Sequence, residues 1–92
     1  MNKVKYVVIE VKGVEYAIVF NKLITHNDFN RLKVTSGIRD WNRGDIVSGG
    51  FMSLIVEDGV INVSVYGRSE SANVDSRPED VGLIKIALNL GM

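Results

Sequence analysis

Glu57-Asp58-Gly59 stands between two β-branched runs, Ile46 to Val56 before it and Val60-Ile61-Asn62-Val63-Ser64-Val65-Tyr66 after it. Asp-Gly accepts positive φ at low cost, so these three residues read as a hairpin turn. In the second run Ile61, Val63 and Val65 share one face, while Asn62 and Ser64 point the other way. That alternation belongs to a strand with one buried side and one wet side. Gly49-Gly50 interrupts the first run and predicts a bulge or a close backbone approach.

The same signals recur at the N-terminus. From Lys3 to Glu10 the residues are rich in β-branched and aromatic types, with Val4, Tyr6 and Val8 on one face and Val7 and Ile9 on the other. This is a strand by pattern. Lys12-Gly13-Val14-Glu15 supplies a turn and Tyr16 to Phe20 a second strand, so the pair forms an antiparallel hairpin. Lys3 and Lys5 suggest an exposed sheet edge. From Asn21 to Lys33 the period is lost. Thr25 or Asn27 could cap a short helix over Asp28 to Leu32, with an ordered loop as the alternative. Val34 to Asp45 is the longest irregular stretch, of the kind that often carries function.

Ser76-Arg77-Pro78-Glu79 then opens a helix: Ser76 as N-cap, Glu79 as the acid of a capping box, Pro78 in the first turn. Val81, Ile84 and Leu88 recur at helical spacing, Leu83, Ala87 and Leu90 widen the stripe, and Gly91 is the expected cap at the end. The expected fold is α+β and a single domain over residues 1–92. Two hairpins make an antiparallel sheet of about four strands, and the amphipathic C-terminal helix packs on one face. Its apolar stripe should meet Ile61, Val63 and Val65.

Ninety-two residues, 46% hydrophobic and 24% charged, suit one small globular core rather than disorder. By surface scaling the folded chain exposes roughly 5,300 Å² of the about 14,800 Å² available unfolded. Eleven basic residues balance eleven acidic ones. A non-specific nucleic-acid coat or a membrane-surface peptide would carry a basic excess. The absence of cysteine excludes disulfides, thiolate zinc sites, iron–sulfur clusters and cysteine nucleophiles. No segment reaches the ~18 apolar residues of a membrane span, and Tyr6-Val7-Val8-Ile9 is too short for the apolar core of a signal peptide.

Catalysis finds little footing. His26 is the only histidine, and with the one nearby carboxylate, Asp28, it falls below the three protein ligands of a typical catalytic zinc site; no Gly-x-Ser-x-Gly elbow exists. Gly49-Gly50 lacks the Lys-Ser/Thr of a phosphate loop. We therefore expect no catalytic residues, no metal and no cofactor. The best candidate is an anion site. Gly67-Arg68-Ser69-Glu70-Ser71 leaves the last strand and Ser76-Arg77 opens the helix, so Arg68, Ser69, Ser71, Ser76 and Arg77 would converge on a helix tip. Trp41, in Arg39-Asp40-Trp41-Asn42-Arg43, could stack on a base or anchor a partner, and Trp41 or Arg43 from a neighbouring subunit could complete the pocket. The competing reading has Glu70, Asp75 and Asp80 simply pairing these arginines. Without an interleaved basic–aromatic sheet surface, polymeric nucleic acid is not expected.

Gly49-Gly50-Phe51 through Asp58-Gly59, Val63 to Ser71 and Ser76-Arg77-Pro78-Glu79-Asp80 together resemble small uncharacterised phage and prophage proteins, over the C-terminal half of the chain. Several small phage proteins of this size oligomerise and sequester nucleotide messengers of bacterial immunity. The resemblance thus implies a cytoplasmic, anti-defence role in a bacterial host cell. The expected function is a non-enzymatic binding protein that captures a phosphate-bearing ligand such as a cyclic nucleotide or an ADP-ribose derivative. The alternatives are a protein–protein inhibitor of a host enzyme and a phage structural accessory subunit. An arginine-walled pocket favours the first reading, and an exposed apolar patch without one favours the inhibitor. A homo-oligomer is expected because a first strand apolar on both faces needs two covers, and one helix provides one.

Overall fold

The computed structural model describes residues 4–21, 37, 38, 40–70 and 72–90. Strands β1 (Val4–Val11), β2 (Val14–Asn21), β3 (Ile46–Glu57) and β4 (Val60–Tyr66) form one antiparallel sheet in the order β2-β1-β3-β4. Helix α1 (Asp80–Ala87) packs against it, and β5 (Arg68–Ser69) pairs with β6 (Val74–Asp75) in a separate small hairpin. This is the expected α+β architecture. No helix among the described residues is long and apolar enough to cross a membrane. The short helix considered over Asp28 to Leu32, and His26, lie outside the described residues.

Both large hairpins close on two residues. Val11 pairs with Val14 around Lys12 (φ 53°) and Gly13 (φ 80°), and Glu57 pairs with Val60 around Asp58 (φ 51°) and Gly59 (φ 78°). Two successive positive φ angles make these type I′ turns, whose twist matches that of the strands they join. β1 lies between β2 and β3, so the edge suggested by its lysines is not there: Lys5 sits on an inner strand, and Lys3 is outside the described residues. Apolar side chains on both faces of β1 outweigh one lysine. Gly50 serves a close approach rather than a bulge, since a Cβ there would stand 2.7 Å from the Tyr66 carbonyl oxygen. The bulge falls earlier. Val8 pairs with Ser48 but Ile9 with Ile46, which leaves Val47 as the extra residue.

The sheet is covered twice by its own chain. On one face Tyr6, Val8, Met52, Val63 and Ile84 are buried together, with Val65, Val81, Leu83, Leu88 and Leu90 packed around them. On the other, Val7, Ile9, Ile18, Phe20, Trp41 and Ile46 are buried, with Ile38, Ala72 and Val74 against them. The second cover expected from a neighbouring subunit is supplied by the Trp41 segment and the β5–β6 hairpin. Of the three β4 residues expected beneath the helix, Val63 is buried and Val65 packs there, but Ile61 remains 40% exposed.

The helix begins at Asp80, four residues after the expected Ser76 cap. Glu79 occupies the cap position without a side-chain cap bond. Its other end closes at Asn89 (φ 56°), where Asn89 N–H donates to the Ile86 carbonyl and Leu90 N–H to the Lys85 carbonyl. That pair of bonds is a Schellman motif with asparagine in the left-handed position expected for Gly91. Ile84 is fully buried, so Ile84→Ala should lower stability by ~2–5 kcal/mol. Urea denaturation should show Ile61→Ala costing only a fraction of that, and equal costs would place α1 over the wrong part of β4.

Candidate functional site

Arg77-Pro78-Glu79-Asp80 carries the densest polar arrangement in the described protein. Pro78 cannot donate a backbone bond, so the chain turns tightly here, with Asp80 N–H donating to the Arg77 carbonyl at 3.0 Å. The turn swings the Asp80 side chain inward, where it is fully buried. Its Oδ2 accepts from the Tyr6 hydroxyl at 2.7 Å and from the Arg77 N–H at 2.9 Å. Its Oδ1 accepts from Ser48 Oγ at 3.0 Å and from Arg77 Nε at 2.9 Å, and the Arg77 Nη2 stands 2.8 Å away. The Arg77 guanidinium then reaches Glu15 on β2, Nη2 to Oε1 at 3.0 Å. One carboxylate thus joins β1, β3 and the start of α1, and its arginine extends the link to β2.

A buried carboxylate without partners would cost several kcal/mol. Here every lone-pair direction is occupied and a guanidinium neutralises the charge. The bulge at Val47 contributes: Val47 packs in the core under α1, and Ser48 on the same side reaches Asp80. The hydrogen bond to Glu15, with further help from Asp80, holds the Arg77 guanidinium protonated well above its already high range. Burial, reinforced by the Asp80 carboxylate, pushes the Tyr6 phenol far above its ordinary value of 10.0.

The residues expected to converge on an anion are engaged with partners inside the protein or lie outside the described residues. Arg77 is spent on Asp80 and Glu15, and the N–H after Ser76, offered to a ligand in the sequence reading, donates to Asp80 instead. Ser76 Oγ donates to the Gly67 carbonyl at 2.9 Å. Arg68 Nη2 donates to Asn73 Oδ1 at 2.7 Å, and its Nε lies 3.6 Å from Asp75, so it braces the β5–β6 hairpin. Ser69 is fully buried, and its Oγ has no hydrogen-bond partner among the described residues. Ser71 lies outside the described residues, as does the side chain of Arg43, whose backbone belongs to the 3₁₀ turn Arg43–Asp45. Trp41 is 1% exposed and donates from Nε1 to the Ile38 carbonyl at 2.8 Å. A base cannot stack on it there. Asp75 and Asp80, named as competing partners of the arginines, do pair with them. Among the described residues no three histidine or acidic side chains cluster as metal ligands would.

What sequence reasoning missed is apolar and exposed. The end of the β3–β4 hairpin carries Leu54, Ile55, Val56, Val60 and Ile61 at 40–67% exposure, and Tyr66, stacked on Phe51 with ring centroids 5.7 Å apart, is 46% exposed. A second apolar groove of about 550 Å³ runs between β2 and α1, with Tyr16, Ala17, Val19, Leu83, Ile86 and Leu88 in its walls. The signal for the first was available: Leu54-Ile55-Val56 is apolar on both strand faces, and an eight-residue helix cannot cover both.

Removing the central carboxylate should be severe. Asp80→Ala should cost ~3–5 kcal/mol, because it leaves the Arg77 charge half-buried and two hydroxyls unsatisfied. Tyr6 sets a pH signature. Above pH 10 the unfolded chain has released this proton while the folded chain keeps it, so stability falls as pH rises, by about 1.4 kcal/mol per pH unit. In Tyr6→Phe that alkaline slope should vanish, and denaturant titrations between about pH 9 and 12 would detect its persistence. Comparison of the chain with protein-family models, with curated proteins and with solved structures finds no match.

Proposed function

We propose that this chain is a non-enzymatic protein-binding domain whose contact surface is the far end of the β3–β4 hairpin. One observation carries the reading: Leu54, Ile55, Val56, Val60 and Ile61 are all exposed around the end of the hairpin, on both its faces, and Val60 and Ile61 continue into a groove shared with Lys85 and Leu90. Contiguous apolar surface on a small domain marks an interaction site. The nucleotide-capture reading has less support, because both arginines it relies on already hold carboxylates. Taken with the resemblance to small phage and prophage proteins, the proposed target is a protein of the bacterial host that presents an apolar surface, as an inhibitor's target would.

A photo-crosslinking side chain placed at Val56 should trap a host protein in bacterial cells, whereas the same group at Lys12, on the opposite hairpin turn, should not. Calorimetric titration with cyclic dinucleotides, cyclic mononucleotides and ADP-ribose derivatives should give no binding tighter than ~100 μM, a weak −5.5 kcal/mol or so. Micromolar binding that Arg68→Ala weakens at least about tenfold would overturn this reading and restore the anion site.

A further inference from the structure

Strand β4 is an edge strand: β3 lies on one side, and no described strand pairs with it on the other. Its seven residues, Val60 to Tyr66, include no Lys, Arg, Asp, Glu or Pro. Edges that must stay unpaired usually carry such residues, and this one has no protection of that kind. The turn fixes which backbone groups are free. Glu57 and Val60 close the two-residue turn as a hydrogen-bonded pair, so Val60, Asn62, Ser64 and Tyr66 direct their N–H and C=O groups to β3. Ile61, Val63 and Val65 therefore direct theirs outward.

We propose that β4 pairs antiparallel with β4 of a second copy of this chain, about a two-fold axis through Val63, so that two four-stranded sheets become one of eight. This rests on reading the β3–β4 hairpin as a binding surface, and names a partner for its edge. The register follows from chemistry. Centring the axis on Val63 overlaps the strand over its whole length and makes Ile61, Val63 and Val65 the hydrogen-bonded positions that the free groups require. Every facing pair then matches in kind. Val60 faces Tyr66 of the second copy, Ile61 faces Val65, Asn62 faces Ser64, and Val63 faces itself. Seven strand residues span about 24 Å, and with the side-chain flanks on both faces each copy covers on the order of 500 Å². The total of about 1,000 Å² reaches the lower bound of a specific interface and belongs to the weak, reversible class. Leu54 and Val56, on β3, stay uncovered in the dimer and available to another protein.

Sedimentation velocity on the full chain, from about 5 to about 500 μM, should show a reversible monomer–dimer equilibrium. Asn62 and Ser64 are exposed and face each other across the axis, so they report on the register. Asn62→Lys with Ser64→Lys sets lysine against lysine twice and should weaken the dimer more than about tenfold. Asn62→Lys with Ser64→Glu sets opposite charges across the same positions and should keep the dimer within about threefold of the original. Both variants lose the Ser53–Ser64 hydroxyl contact equally, and circular dichroism checks that both fold. A wild-type chain monomeric throughout the range overturns the pairing, as does equal dimerisation of the two variants. Neither result removes the crosslink expected at Val56, so loss of the pairing and loss of the binding surface are told apart.

Discussion

A single buried carboxylate holds the parts of this protein in register. Asp80 accepts hydrogen bonds from Tyr6 on β1, Ser48 on β3 and the backbone of Arg77, and Arg77 continues to Glu15 on β2. Apolar packing would let α1 slide along the sheet at modest cost, since one methylene resembles another. A charge in the interior does not tolerate sliding, because a displacement of one residue strands it. The β3 bulge has its reason here too. It sets Val47 beside Ser48 on the helix side and returns Ile46 to the opposite core, while the Ser48 hydroxyl completes the carboxylate's coordination.

The sheet was legible in the sequence and the clasp was not. Strand propensity and two turns with glycine second are local, and local signals survive into the fold. The helix start was blurred because Ser76 and Glu79 stand at capping-box spacing, whereas the helix begins at Asp80, whose side chain is drawn inward. The partners that draw it, Tyr6 and Ser48, are distant, and no window of sequence contains them with Asp80. The same blindness governs Arg77. A guanidinium aimed at a ligand and one aimed at a buried acid look alike in composition. Trp41 sits in a stretch without period, so nothing in its neighbourhood says which way it faces. Lys5 misled for a simpler reason: one lysine at the margin of a strand says less about position than five apolar neighbours do.

The exposed apolar surface follows from lengths. Twelve strand residues carry β3 about 40 Å, whereas eight helical residues carry α1 about 12 Å. The helix therefore leaves part of the sheet open, and Leu54, Ile55, Val56 and Val60 stay exposed on the two faces of the hairpin. The molecule is correspondingly elongated, 40 Å against 27 and 22 Å. A chain selected only to be a stable monomer would place polar residues on such a surface.

The Tyr6–Asp80 bond spans 74 positions of the chain, and that separation bears on the order in which the protein assembles. Each hairpin closes between neighbours, on the microsecond scale of short turns. The clasp closes a loop whose entropy alone costs about 4 kcal/mol from the open chain. Pairing of β1 to β4 can therefore precede closure of the clasp. Until it closes, Tyr6 and Ser48 lie on the bare face that α1 will cover, beside the apolar surface of Val8 and Met52. The nascent sheet is then at its most adhesive, and arrival of the helix ends that state by filling its one polar socket.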